Sequence, residues 1–156
     1  MDILVRKAVA GDYASVLQIM NQVQKLHVEW RPDIYRPNDE ILPIDFFTER
    51  VKEEEIFVAE AEGKVIGVME IMFRHVETPA HVTRDVIFID SMAVDEAYRG
   101  QGVGHAFFEK VKEVASDKNL DGIELQVNAK NKLAYEMYEK CGFTEKSINM
   151  ELLNWK

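Results

Sequence analysis

The stretch that decides the fold reads Met92-Ala93-Val94-Asp95-Glu96-Ala97-Tyr98-Arg99-Gly100-Gln101-Gly102-Val103-Gly104-His105. It joins an apolar strand pattern over residues 85–94 to a helical pattern over 101–116, with three glycines within five residues at the join. Glycine lets a ligand approach the backbone closely, and a helix start presents unpaired N–H groups with partial positive charge. The stretch therefore predicts a binding loop for a phosphate or pyrophosphate, beside the permanent charge of Arg99.

Four interpretations of the glycines compete on the residues alone. They can simply turn the chain, or they can belong to a dinucleotide fingerprint, to a P-loop or to a binding loop for the pyrophosphate of coenzyme A. The glycine interval differs from the fingerprint, the stretch lies late in the chain, and no Gly-Lys-Ser/Thr ending is present. Besides the plain turn, this leaves the pyrophosphate of coenzyme A as the predicted ligand.

The pattern on either side of the loop predicts an α+β fold of order β-α-α-β-β-β-α-β-α-β. The helix over 101–116 lies between two apolar strands and requires a parallel, right-handed crossover, so the sheet is mixed. Three prolines between His27 and Pro43 exclude a regular helix there, and we expect a surface loop. We expect strands over 2–7, 55–60, 64–73, 85–94, 123–127 and 145–153, and helices over 12–26, 44–52, 101–116 and 131–140.

Composition favours one globular domain spanning residues 1–156. The chain is 47% hydrophobic and 30% charged, which excludes a disordered segment. Its net charge of −9 repels phosphate backbones, so we expect no nucleic-acid partner. The same charge attracts an amine substrate, although acidity that serves solubility alone is the more ordinary explanation.

The cysteine and histidine content indicates the cellular compartment and whether a metal site is expected. The single cysteine, Cys141, allows no internal disulfide and favours a reducing compartment. The start of the chain is too charged for a signal peptide, and no apolar run approaches the ~20 residues of a membrane span. The four histidines show no metal-ligand spacing. We expect a cytoplasmic protein without a metal or a membrane partner.

Two motifs together resemble the GNAT (Gcn5-related) N-acetyltransferase family. Arg99-x-x-Gly102-x-Gly104 is similar to its pyrophosphate motif, and Asn131-x-x-Ala134-x-x-x-Tyr138-x-x-x-Gly142-Phe143 is similar to its segment after the fifth strand. The element order over residues 1–156 also fits. The resemblance implies the GNAT-like acyl-CoA N-acyltransferase fold, with six to seven strands and a splayed fourth and fifth strand.

The resemblance also implies acetyl-CoA (coenzyme A) as cofactor. Its pantetheine arm would pair with the fourth strand as an added strand does, and the glycine loop would hold its pyrophosphate. The residues implied to bind it are Met92, Ala93, Val94, Arg99, Gly100, Gln101, Gly102, Val103, Gly104, His105, Asn131, Ala134 and Tyr138.

Acetyl transfer to an amine needs a base for the amine and an acid for the departing thiolate. The resemblance implies Tyr138 as the acid, although a tyrosine packed against the sheet is the ordinary alternative. The positions where the family often places a glutamate base hold Phe88 and Gln126, which cannot take a proton. The remaining candidates are Glu70 and Asp90 in apolar strands, Glu29 and His27 near the first helix end, and a chain of waters. For both strand carboxylates, a place on the solvent face of the strand is the more ordinary explanation.

The loop after the first helix is the candidate acceptor wall. His27, Trp30, Arg31, Tyr35 and Arg36 are concentrated there, and a packed connector explains the aromatics equally well. An arginine could bind an acceptor carboxylate, which weakly favours an amino acid or peptide over a polyamine.

The resemblance implies an N-acetyltransferase that acts on a primary amine of a small molecule, amino acid or peptide by direct attack. The alternative is a coenzyme A-binding sensor or interaction module with little catalysis, and the missing base positions support it.

An edge strand over 145–153, with apolar Ile148, Met150, Leu152 and Leu153, predicts a homodimer.

Overall fold

The computed structural model describes residues 1–156, which form two units, Met1–Gln126 and Val127–Lys156. In the first unit the helices are α1 (Tyr13–Trp30), α2 (Ile44–Lys52) and α3 (Val103–Asp117). The strands are β1 (Leu4–Lys7), β2 (Ile56–Ala61), β3 (Lys64–Thr78), β4 (His81–Val94) and β5 (Gly122–Leu125). The second unit contains α4 (Lys132–Lys140). No helix is both long and apolar enough to cross a membrane.

The five strands form one mixed sheet of order β1-β2-β3-β4-β5. β1 to β4 are antiparallel neighbours, whereas β4 and β5 are parallel and joined through α3. The α+β class, the meander and the crossover helix are therefore confirmed. The carboxyl end of β4 feeds the crossover, which places the glycine loop where ligands of such sheets bind.

The helices of the first unit, α1, α2 and α3, cover the sheet because each buries an apolar stripe. α1 contributes Val16 and Ile19, and α2 contributes Phe47, to a core that includes Val68 and Ala93 of the sheet. On α3 the buried side chains are Val103, Phe107, Phe108 and Val111. Gly67 on β3 lets α3 approach, since a Cβ there would lie 3.0 Å from the Phe107 and Val103 side chains.

A bulge interrupts β4 where its pairing with β5 ends. Opposite β3, the register runs Glu70↔Ser91 and then Ile71↔Ile89, so Asp90 is the extra residue. The β4–β5 ladder covers only Val86–Ile89 of β4. Residues 90–94 continue along β3 without a β5 partner, which is the expected separation of the fourth and fifth strands. Bulges of this kind re-aim side chains and are frequent beside active sites.

The expected number of six to seven strands is wrong, because residues 145–153 form no strand. Their apolar residues alternate as in a strand, but a strand also needs a neighbour to satisfy its backbone groups, and none pairs with them. Ile148, Met150 and Leu152 are 73%, 92% and 74% exposed. The edge-strand argument for a homodimer therefore loses its basis.

Three other boundaries, in α1, β3 and β4, differ from the sequence prediction by four or five residues. α1 continues to Trp30, so residues 27–30 are helical instead of loop, because the first proline of that stretch comes at Pro32. β3 and β4 extend beyond 64–73 and 85–94 into an outer hairpin. Polar contacts hold that hairpin, where His75 lies 2.7 Å from Asp85 and 2.8 Å from Glu77.

The homodimer stays a prediction, now resting on exposed apolar side chains instead of an edge strand. Leu153 and Trp155, 62% and 68% exposed, add to those named above, and exposed apolar side chains that form a contiguous patch often mark a protein–protein contact. We expect light scattering at high micromolar concentration to report twice the 18.0 kDa mass of the chain. A mass of 18.0 kDa at that concentration would contradict this prediction.

Candidate active site

The glycine loop presents backbone donors at the start of α3. Gly100 and Gly102 adopt φ of +74° and +90°, a region that favours glycine, and Gly102 is the N-cap residue. The first bond of the helix runs from Ala106 N to Gly102 O at 3.0 Å. The amides of residues 103–105 therefore precede the first intrahelical bond and remain available to an anion.

Asp95 holds the turn between β4 and this loop, and sequence reasoning missed it. It is buried, its carboxylate accepts from Ala97 N at 3.0 Å, and its own N–H donates to Ile66 O at 2.9 Å. An aspartate directly after an apolar strand is a turn signal that could have identified it. Arg99 is exposed and donates through Nε to Val94 O at 3.2 Å, so it stays beside the loop.

A buried polar cluster lies on the face of the sheet that α1 and α2 cover. Glu70 on β3 is 4% exposed, and its Oε1 lies 3.0 Å from Nη2 of Arg50 on α2. The same guanidinium donates to Ile71 O at 2.8 Å and lies 3.3 Å from Oε2 of Glu55. Asp90, at the bulge, is exposed. Of the two strand carboxylates proposed as base, Glu70 is thus buried and Asp90 is at the surface.

Burial raises the pKa of the Glu70 carboxyl above its usual value. The Arg50 guanidinium opposes this, while the charges of Asp90 and Glu55 add to it. Burial of a carboxylate disfavours its charged form, and such a shift brings a glutamate closer to the range useful for a base.

The residues at the end of α1 come together as an aromatic group. The His27 ring centroid lies 4.7 Å from that of Tyr35 and 5.8 Å from that of Trp30. Burial lowers the pKa of His27, so its imidazole is neutral over a wider pH range. Arg31 binds Asp33 through Nε and Nη2 at 2.9 and 2.8 Å, whereas Arg36 is exposed.

Two adjoining cavities of about 580 and 560 Å³ lie along α1 and residues 37–39. Both are lined by Asn21, Lys25 and Asp39. Glu96, next to the glycine loop, lines the first, and Glu29 lines the second. Sequence reasoning missed most of these residues, and the available signal was a polar stripe at helical spacing on α1.

The two positions where the family often places a glutamate differ in their surroundings. Phe88 is buried, and the Arg74 guanidinium lies 3.7 Å from its ring centroid. Gln126 follows β5 directly and is exposed. Neither can act as a base.

In the second unit, Tyr138 is half-buried on α4, and its ring centroid lies 5.9 Å from that of Phe143. Burial raises the pKa of the Tyr138 phenol, which keeps it protonated through neutral pH. Asn131 caps α4, because its Oδ1 accepts from Ala134 N at 3.2 Å. This gives Asn131 of the Asn-x-x-Ala motif a structural role as the helix cap.

Known proteins share this architecture. A model of the Acetyltransferase (GNAT) family matches residues 20–143. An uncharacterized N-acetyltransferase of Methanocaldococcus jannaschii is 33% identical over 96 residues, 62% of this chain and 42% of that protein. The thialysine N-epsilon-acetyltransferase of Bos taurus is 28% identical over 144 residues, 90% of this chain and 83% of that enzyme. The solved structure of a mutant of the BH1408 protein of Bacillus halodurans is 30% identical with a TM-score of 0.93, covering 96% of this chain and 98% of that one. The chain thus spans less than half the length of the archaeal relative.

Proposed function

This chain belongs to the acetyltransferase (GNAT) family, and we propose that it transfers an acetyl group from acetyl-CoA to a primary amine. The proposal rests on the structure at the carboxyl end of β4. There a strand segment without a β5 partner leads into two glycines at positive φ and the free amides of α3. This arrangement suits an extended ligand with a pyrophosphate at one end.

The glycine loop fits the pyrophosphate of coenzyme A. A Cβ built on Gly100 or Gly102 meets no atom within 4 Å, so the space in front of the backbone is open. We propose that the amides of residues 100–105 bind the pyrophosphate and that the Arg99 side chain adds a positive charge beside it. The backbone of Met92–Val94 is proposed to pair with the pantetheine. Asn131 and Ala134 stay predictions that rest on the family motif. Acetyl-CoA supplies an acetyl group activated as a thioester.

Glu70 is the proposed base for the incoming amine. The amine reaches the site as an ammonium ion and must lose a proton before its lone pair can attack the thioester carbon. Glu70 is held in place by Arg50, and burial raises its pKa. Asp90 remains the alternative, because it lies at the bulge that follows the last β4–β5 pair.

Tyr138 is the proposed acid, an assignment that rests on the family motif around it. Its phenol, protonated at neutral pH, would give a proton to the departing thiolate of coenzyme A. Nothing in this scheme requires an acyl-enzyme intermediate, and we propose direct attack by the amine.

The acceptor is proposed to bind between the aromatic group at the end of α1 and the cavities beside it. His27, Trp30 and Tyr35 offer ring surface, and Asp39 and Glu96 offer negative charge to a cation. Arg31 is held by Asp33, which leaves Arg36 as the free candidate for an acceptor carboxylate. The bovine relative is a thialysine N-epsilon-acetyltransferase, and an amino acid with a side-chain amine suits these groups.

Gly102→Val is expected to weaken acetyl-CoA binding by about tenfold or more while the fold is kept. The new side chain fills the space in front of the loop, and φ of +90° is unfavourable for an L-residue by ~1–2 kcal/mol. Calorimetric titration with acetyl-CoA measures the change. Gly11→Val is the matched control, since its Cβ also meets no atom within 4 Å and its φ is not positive. Unaltered affinity in a folded Gly102→Val protein would remove the pyrophosphate assignment.

Release of free coenzyme A thiol in the presence of an amine panel tests the proposed activity. An N-acetyltransferase releases thiol in an amine-dependent way. Binding of acetyl-CoA without such release would favour the alternative, a coenzyme A-binding module with little catalysis.

We also propose that the protein acts in the cytoplasm, because its single cysteine favours a reducing compartment.

A further inference from the structure

Two buried polar atoms beside Glu70 have no hydrogen-bond partner within the protein. They are Oγ of Ser91 on β4 and Nε of Arg50 on α2. A buried hydroxyl without a partner lowers stability, and such atoms are few in folded proteins. Their position next to the proposed base calls for an explanation in terms of a ligand.

The sheet register places the Ser91 hydroxyl beside the Glu70 carboxylate. Glu70 and Ser91 are direct cross-strand partners, and the next pair toward the glycine loop on the same face is Val68 and Ala93. Both members of that second pair lie in the core formed with α1 and α2. Side chains of directly opposed residues share a face, with Cβ atoms about 4.5–5.5 Å apart. Ser91 and Glu70 therefore point to the side from which Arg50 enters.

The bulge at Asp90 also determines where Ser91 lies along β4. It is the first residue of β4 after Asp90, and the β4–β5 ladder has already ended at Ile89. Ser91 is half-buried as a residue, but its Oγ is buried, and Glu70 is 4% exposed, so the hydroxyl and the carboxylate both lie beneath the surface. It also lies directly before Met92–Val94, the residues to which the proposed function assigns the pantetheine.

We propose that the Ser91 hydroxyl binds the nitrogen of the acceptor amine and relays its proton to Glu70. In the free protein Oγ makes no hydrogen bond to Glu70, so rotation about the Ser91 Cα–Cβ bond first turns the hydroxyl toward the carboxylate. Oγ then accepts a proton from the ammonium nitrogen while its own proton passes to the Glu70 carboxylate. One N–H bond breaks, one carboxyl O–H bond forms, and the serine ends as it began. The amine is left neutral with a free lone pair. This inference rests on the proposed function, because it concerns the same reaction.

The charged side chains around Glu70 favour the binding of a cationic amine beside Ser91. The charges of Glu55 and Asp90 both act on Glu70, and Arg50 is the cation in contact with Glu70 and Glu55. Three carboxyl groups against one guanidinium leave a net negative charge around Glu70, which favours a further positive charge. A neutral hydroxyl that can both accept and donate is the group such a proton transfer needs.

Ser91→Ala is the variant that tests the relay. We expect kcat/KM for the amine to fall about 10- to 100-fold, the loss expected for one hydrogen bond to a charged group. Acetyl-CoA affinity by calorimetry should stay within about two-fold of wild type, and the thermal midpoint should not fall, because the variant loses a hydroxyl without a protein partner. Ser91→Thr, which keeps the hydroxyl, should recover most of the rate. Thr83→Ala, an exposed hydroxyl on the same strand, is the matched control.

The assay uses L-lysine, thialysine and spermidine as acceptors, with thiol release and mass spectrometry of the amine as readouts. A Ser91→Ala rate within two-fold of wild type would overturn the relay and leave the proposed function intact. A lowered thermal midpoint together with weakened acetyl-CoA binding would assign Ser91 a structural role instead. If wild type acetylates none of the three amines, the proposed function fails, and the relay fails with it.

Discussion

Tyr138→Phe is expected to lower kcat by about 10²- to 10⁴-fold while acetyl-CoA affinity changes only a few-fold. The substitution keeps the ring and its contact with Phe143 and removes only the hydroxyl. A lost acid acts in the transition state, so the effect falls on kcat and not on ground-state binding. Steady-state kinetics with a saturating amine, combined with calorimetry, separates the two quantities.

The pH profile gives this prediction a second readout. Burial raises the pKa of the Tyr138 phenol, so the acid stays protonated through neutral pH and is lost only as pH rises through that raised value. The basic limb of wild-type kcat should therefore disappear in Tyr138→Phe. Tyr135→Phe is the matched control on the same helix, because Tyr135 is engaged with Glu145 at 2.9 Å. A kcat within two-fold of wild type, with only KM changed, would show that the Tyr138 hydroxyl serves binding or packing.

Glu70→Gln is expected to lower kcat/KM for the amine by about 10²- to 10⁴-fold. Glutamine keeps the size of the side chain and cannot take the proton. A base works only when deprotonated, so wild-type activity should fall as pH drops through the Glu70 pKa. Burial raises that pKa, which places the acid limb above the usual range of a glutamate. The variant should lack this limb.

The control for Glu70→Gln comes from the same strand. Glu77 is an exposed glutamate of β3, and Glu77→Gln should leave kcat/KM within about two-fold of wild type. If Glu70→Gln retains both its rate and its acid limb while Asp90→Asn loses them, Asp90 is the base. Retention in both variants would point to a chain of waters.

The glycine loop could be predicted from sequence because its determinants are local. A strand, three glycines and a helix follow one another within one stretch, and positive φ at Gly100 and Gly102 is a property of those residues themselves. The mixed sheet was predictable for a related reason, since a helix between two apolar strands permits only a parallel crossover.

The cluster around Glu70 could be predicted only in part. A carboxylate within an apolar strand identified Glu70, but Arg50 lies 20 residues earlier on another element. The pairing of Glu70 with Ser91 depends on the bulge at Asp90, and hydrophobic alternation does not determine register across a bulge. The hydroxyl proposed as relay was therefore invisible in the sequence.

At the end of the chain, the sequence pattern predicted an element that the structure does not contain. Ile148, Met150 and Leu152 alternate with polar residues as a strand requires, yet no strand forms there. Alternation describes which side of a strand would be buried, but it does not supply the neighbouring strand whose backbone groups complete the hydrogen bonds.

Direct acetyl transfer is tested by incubating the protein with acetyl-CoA labelled in its acetyl group, in the presence of L-lysine or thialysine. Mass spectrometry of the small molecules and of the intact protein follows the label. Direct transfer predicts that labelled acetyl-amine forms in the same amount as released coenzyme A, while the mass of the protein stays unchanged throughout. Label accumulating on the protein before it reaches the amine, or coenzyme A released without any acetyl-amine, would contradict it.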